Sequence, residues 1–308
     1  MGMAEIEQLL KADEENAEKT RHLFLEFDPE LLDTFDEGNH LFQSFMRSFS
    51  QESTDDVDQA AITAITEKLG LKELDLIAVL KEEKKYSCDL NLINDLNQIR
   101  ARYYCRRARA LLTLQAYRSF MFAATDIRRM HVVRAIGQLR PEIEAVALIT
   151  VFQNDNQLAV EWYNIRANSE GKTFFKKTIG RVLNFCKTHA LENEWNLSSA
   201  VAQHSRLIGL VDGLHVKQFV EGDRTVHEFK LALQDFSPEQ RAAFITRALY
   251  ILRTQAKLLL PIELALPEAS DPLLRETRIP RFQRKIERLY KVFERKFPQF
   301  LAELGMDS

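Results

Sequence analysis

The chain has 308 residues with 42 basic and 45 acidic side chains, a net charge of -3, 45% hydrophobic residues and three cysteines. That balance is ordinary for a folded globular protein and excludes general disorder and a disulfide framework. The longest apolar runs, at 145–152 and 258–261, fall far short of the ~18 residues a membrane-spanning helix needs.

Only 10 Gly and 8 Pro interrupt the chain, and apolar positions recur three and four apart, so the expected fold class is all-α. In chain order, helices are expected at 3–26, 29–49, 55–69, 71–85, 88–115, 117–135, 141–153, 155–168, 172–190, 196–213, 238–258 and 281–304. Asp28-Pro29-Glu30 and Ser237-Pro238-Glu239-Gln240 place a capping side chain, a proline and an acid or amide where a helix opens. Residues 215–228, with Glu221-Gly222-Asp223 between short alternating runs, suit either a small hairpin or a loop. Pro261 to Pro272 is the best linker candidate. The expected division is an acidic helical region at 1–85, central helices at 86–213 and a region at 214–308 with a basic capping helix, with one continuous domain as the alternative.

The amino terminus lacks the basic and apolar regions of a secretory signal, and Cys88, Cys105 and Cys186 lie far apart. The chain therefore reads as cytoplasmic. Charge is distributed in blocks. Residues 1–60 hold 16 acids against 4 bases, 100–140 hold 10 arginines and one acid, and 275–297 hold nine bases and three acids. Such complementary runs can neutralise each other inside the fold, lie on solvated faces, or line a basic groove.

From Tyr104 through Ala108, Leu111 and Leu114 to Tyr117, and again from Ile143 through Val146, Ala147, Val151 and Phe152, past Asn154-Asp155-Asn156, to Ala159, Trp162 and Tyr163, small and aromatic residues alternate as in paired helices. This pattern resembles the tetratricopeptide repeat over residues 103–168, although the copies are offset by about 39 residues against the family's 34. Arg107 also stands where the family buries a leucine. The resemblance implies antiparallel helix pairs stacked as a superhelix, with an irregular helical bundle as the alternative. It further implies a concave groove lined by Arg102, Cys105, Arg106, Arg109 and Leu112 from one copy and Glu144, Leu148, Val151 and Phe152 from the other. Guanidinium forks suit an acidic peptide or face, so reversing Arg102, Arg106 and Arg109 is expected to abolish partner capture with helical content intact.

No local motif points to catalysis, and no catalytic residue, metal ligand or cofactor is assigned. Glu170-Gly171-Lys172-Thr173 has Arg166 where a phosphate loop needs glycine. The seven histidines show no HExxH pattern or pairing with cysteine. Cys186 and His189 share one expected helix with no oxyanion loop nearby, so Cys186 reads as core. The expected function is a protein-binding adaptor, regulator or inhibitor whose partner carries an acidic segment, of the type seen among bacterial effectors and their regulators. A nucleic-acid binder using the arginine-rich helices and an all-helical enzyme without local motifs are the alternatives. A pI near 6.2 weighs against the first of these.

Overall fold

A computed structural model describes residues 3–50, 59, 60, 62–64, 67, 90–165, 168–203, 216–221, 224–229, 238–266 and 272–299. The expected helix at 71–85, most of that at 55–69 and the end of that at 196–213 lie outside the described residues. Ten α-helices are traced among the described residues: α1 (Met3–Phe27), α2 (Glu30–Ser50), α3 (Leu90–Arg128), α4 (Val132–Gly137), α5 (Leu139–Asn154), α6 (Asn156–Tyr163), α7 (Asn168–Thr188), α8 (Glu192–Gln203), α9 (Pro238–Ala265) and α10 (Ile279–Lys296). The fold class is all-α. Between α8 and α9, β1 (Val216–Glu221) pairs antiparallel with β2 (Arg224–Phe229), Val216 opposite Phe229 and Glu221 opposite Arg224, so the hairpin forms.

Helix α3 corrects two expectations at once. It runs unbroken through 115–117, where the first repeat copy was expected to turn. The physical reason lies in Ala110 to Phe120, which contains no Gly, Pro, Asn or Asp to stop a helix. The first copy is thus a single rod, whereas the second does turn between α5 and α6. There Asp155 caps α6 by accepting a hydrogen bond from the Leu158 amide at 3.0 Å.

The end of α3 carries no glycine signal either. Met130 takes the left-handed conformation with φ 67°. The His131 amide donates to the Asp126 carbonyl at 2.8 Å and the Met130 amide to Ile127 at 3.1 Å, closing a Schellman motif. Ala190, with φ 52°, ends α7 in the same way.

The core is one contiguous cluster to which all ten helices contribute, so the described parts of the three expected regions share one core. The first part of the expected linker is also corrected, since α9 continues through Pro261, which is buried inside it, to Ala265; residues 267–271 lie outside the described residues. Aromatic rings carry the packing from helix to helix. Phe244 of α9 stacks on Phe24 of α1 at 5.6 Å, Phe24 on Phe35 of α2 at 6.4 Å, and Phe35 on Phe120 of α3 at 6.3 Å. At the α2–α3 crossing, Gly38 is required by this closeness, because a Cβ there would stand 2.8 Å from the Phe120 ring. The roughly 1 kcal/mol that a mid-helix glycine costs is offset by the approach it permits.

The charge blocks meet across these helices. On α10, Lys285 and Arg281 pair with Glu37, and Arg288 spans Asp28 and Glu30 at 2.7 and 3.1 Å. Lys296 donates to the carbonyls of Glu26 and Phe27, the last of α1, where a cation complements the helix dipole. Arg128 reaches Asp36 at 2.6 Å and Arg129 reaches Asp13 at 2.8 Å. The amphipathic α10 buries Phe282, Ile286, Leu289 and Phe293 against α2 and α9, so its apolar stripe is a packing face. No described helix is long and apolar enough to cross a membrane.

Candidate functional site on the outward face of the central helix

An α-helix returns to the same face every three to four residues, and α3 uses one of its faces entirely for packing. Cys105, Ala108, Leu112, Ala116, Phe120, Ala123 and Ile127 recur at that spacing and are buried. This is the side on which the groove was expected, and the structure corrects that assignment. Cys105 is 3% exposed and its thiol donates to the Phe152 carbonyl at 3.1 Å, while Leu112, Leu148 and Phe152 are buried with it. Val151 packs against the same core. Cys105, Leu112 and Phe152, spent wholly in the core, cannot also present themselves to a partner.

Arg102 and Arg106 are half-buried on this inward side and both are engaged by neighbours. Arg109 has a defined structural task. Its guanidinium lies over the Phe49 ring at 5.6 Å and donates to the Ala265 carbonyl at 3.2 Å. Gln153 donates to Leu264 and Arg275 to Leu266, so three side chains from three elements satisfy the carbonyls at the end of α9.

The opposite face of α3 carries Arg107, Leu111, Leu114, Arg118 and Phe122, all exposed. Leu111 and Phe122 are each 46% exposed, and between them the helix rises about 16 Å. No acidic residue occurs on α3 between Asp95 and Asp126. Arg107 is steadied by the Tyr103 hydroxyl at 3.1 Å, whereas Arg118 makes no hydrogen bond or ion pair among the described residues.

Leu111 is also the lip of a cleft of about 580 Å³ between α3, α5, α6 and α7. Its other walls are Glu144, Leu148, Trp162, Tyr163, Ile165, Gly171, Phe174 and Phe175. The rings are set by contacts beneath them: Trp162 and Phe174 lie against Phe152 at 5.9 and 6.5 Å, and Tyr163 leans on Tyr104 at 4.7 Å with the two rings tilted by 38°. Of the nine expected groove residues, Glu144 and Leu148 reach this cleft. Burial pushes the Glu144 carboxyl above its usual range, and the Arg140 charge offsets part of that rise. Arg140 is itself placed over the rings of Phe175 and Trp195 at 5.9 and 5.3 Å.

Two other places carry titratable or nucleophilic side chains. A groove of about 690 Å³ between α9 and α10 mixes Arg253, Lys257 and Lys291 with Glu287 and Glu294 around Tyr290. Lys257 is committed to Glu194 at 2.7 Å and to the Ala190 carbonyl, and Arg253 lies over Tyr290 at 5.7 Å. Cys186 is buried, and that burial lifts its thiol to about 11, the opposite of what a nucleophile needs.

The outward stripe was legible in principle. The buried row from Cys105 to Ile127 has unbroken helical spacing, which implies one helix and therefore a defined outer face. The repeat resemblance divided that row in two and turned attention to its inner half. Compared with protein-family models, curated proteins and solved structures, the chain matches none of them.

Proposed function

We propose that the chain is a protein-binding module whose partner lays an acidic amphipathic helix along the outward face of α3. The observation that carries this reading is the row Arg107, Leu111, Leu114, Arg118 and Phe122. There, apolar and cationic side chains are exposed along one line while the opposite face, from Cys105 to Ile127, is consumed by the core. The apolar anchors Leu111, Leu114 and Phe122, three and eight residues apart on one face with Arg118 between them, match the periodicity of an opposing helix. The arginines select acids beside those anchors. The pairing of Lys285 with Glu37 and of Arg288 with Asp28 weighs against a nucleic-acid reading through α10, because these two charges are already matched within the fold.

The test places a photo-crosslinking residue at position 114 of the full chain, and at position 187 on α7 as a control, in its native extract. A single protein crosslinked from 114 alone, through a segment with acids flanking an apolar row, is the expected result. Adding Arg118→Glu and Phe122→Ala should cut that crosslink at least about tenfold with helical content unchanged. Equal crosslinking from both positions, or a captured segment without acids, overturns the reading.

A further inference from the structure

The aromatic cleft beside Leu111 has a composition that the stripe does not explain. Four of its walls are aromatic, one is an acid and none is a cation. Glu144 accepts no hydrogen bond among the described residues, and the guanidinium acting on it, Arg140, is held over Trp195 and over one of the cleft's own rings, Phe175. An anion entering the cleft would be repelled by Glu144 and would meet no opposite charge on its walls. A neutral apolar group could fill the space but would shut a carboxylate away from water without a partner, which is costly.

We infer that the cleft binds an alkylated ammonium group, the cation seated among Trp162, Tyr163, Phe174 and Phe175 with Glu144 as its counter-charge. The faces of aromatic rings attract such cations, and the attraction grows when the cation is removed from water. Its alkyl groups are accommodated by Leu111, Leu148 and Ile165. A volume of about 580 Å³ lies within the range of small-molecule sites, and it exceeds what one ammonium head needs. The cation can therefore arrive on a free amine or on an alkylated lysine side chain of a protein. Burial of the Glu144 carboxyl, which holds it above its ordinary range, is relieved when a cation arrives. This inference does not rest on the partner reading: the two share Leu111, but Trp162, Tyr163, Phe174, Phe175 and Glu144, which would hold the cation, lie outside the α3 row.

The experiment uses the full chain carrying Trp195→Phe, which leaves Trp162 as the only tryptophan. Trp162 emission is followed while choline, the neutral tert-butyl analogue of choline, a trimethyl-lysine peptide and the same peptide unmodified are added in turn. Saturable change with choline or the trimethyl-lysine peptide is expected, with the neutral analogue at least about tenfold weaker. In Glu144→Gln the cations should lose about tenfold in affinity. Binding of choline as tight as the peptide identifies a free amine as the source, and a peptide at least about tenfold tighter identifies a protein side chain. The inference is overturned if no cation gives a saturable change, if the neutral analogue binds as well, or if Glu144→Gln binds the cations unchanged. Should Glu144→Gln fail to fold, the comparison of choline with its neutral analogue on the Glu144 protein decides the matter alone.

Discussion

The two faces of α3 are built from similar residues and meet opposite fates. Leu112 is 1% exposed and its neighbour Leu111 is 46% exposed. Arg109 caps a helix end across the core boundary, while Arg118 projects from the other side without a hydrogen bond or ion pair among the described residues. Side-chain type did not decide which leucine packs or which arginine is committed; the direction in which each Cβ leaves the helix did. A basic, leucine-rich helix therefore cannot be assigned a binding role until its inward side is known.

The sharpest way to break this comparison is to truncate the two leucines. Leu112→Ala should lower stability by about 2–5 kcal/mol, the range for a buried leucine replaced by alanine. Leu111→Ala should stay within about 0.5 kcal/mol, as exposed substitutions usually do. Urea melts of both variants measure the gap, and equal costs would mean that the two faces are not distinct.

A smaller contrast is expected from the arginines. Arg109→Ala removes a charged donor from the Ala265 carbonyl and a cation from the Phe49 ring, a loss of about 1.5–3 kcal/mol, whereas Arg118→Ala should be close to neutral in the same melts. Reversal of Arg109 to glutamate would for the same reason weaken the fold itself. It is thus a poor probe of partner binding, contrary to what the sequence led us to expect.

The smallest effect sharpens the comparison on α5, where Glu142 faces inward and Glu144 outward. Glu142 is fully buried, and burial without a partner holds its carboxyl well above the ordinary value near 4.5. The folded state thus keeps a proton that the unfolded chain releases. This contribution to stability is complete below that ordinary value and is lost as pH rises towards the folded one. Glu142→Gln should accordingly be more stable than the parent at pH ~8, by a margin that closes as pH falls towards ~4, since a one-unit shift corresponds to about 1.4 kcal/mol. Melting curves of the pair across that range, with other groups cancelling in the difference, test the sign. A margin that does not change with pH would show that Glu142 is ionised in the fold.

The sequence by itself determined the helical class, the starts of α1, α2, α5 and α9 to within a few residues and the turn before α6. It did so because apolar period and capping chemistry are local. It also announced the complementary charge blocks, although only the fold showed α10 and the end of α3 pairing with α1 and α2. The helix ends at Met130 and Ala190 were hidden, because left-handed caps there fall on residues with no preference for that conformation. The passage of α9 through Pro261 and the burial of Cys105, Leu112 and Phe152 were decided by tertiary packing. Which face of a helix is buried depends on what the rest of the chain brings against it, and that is set by contacts among residues far apart in sequence.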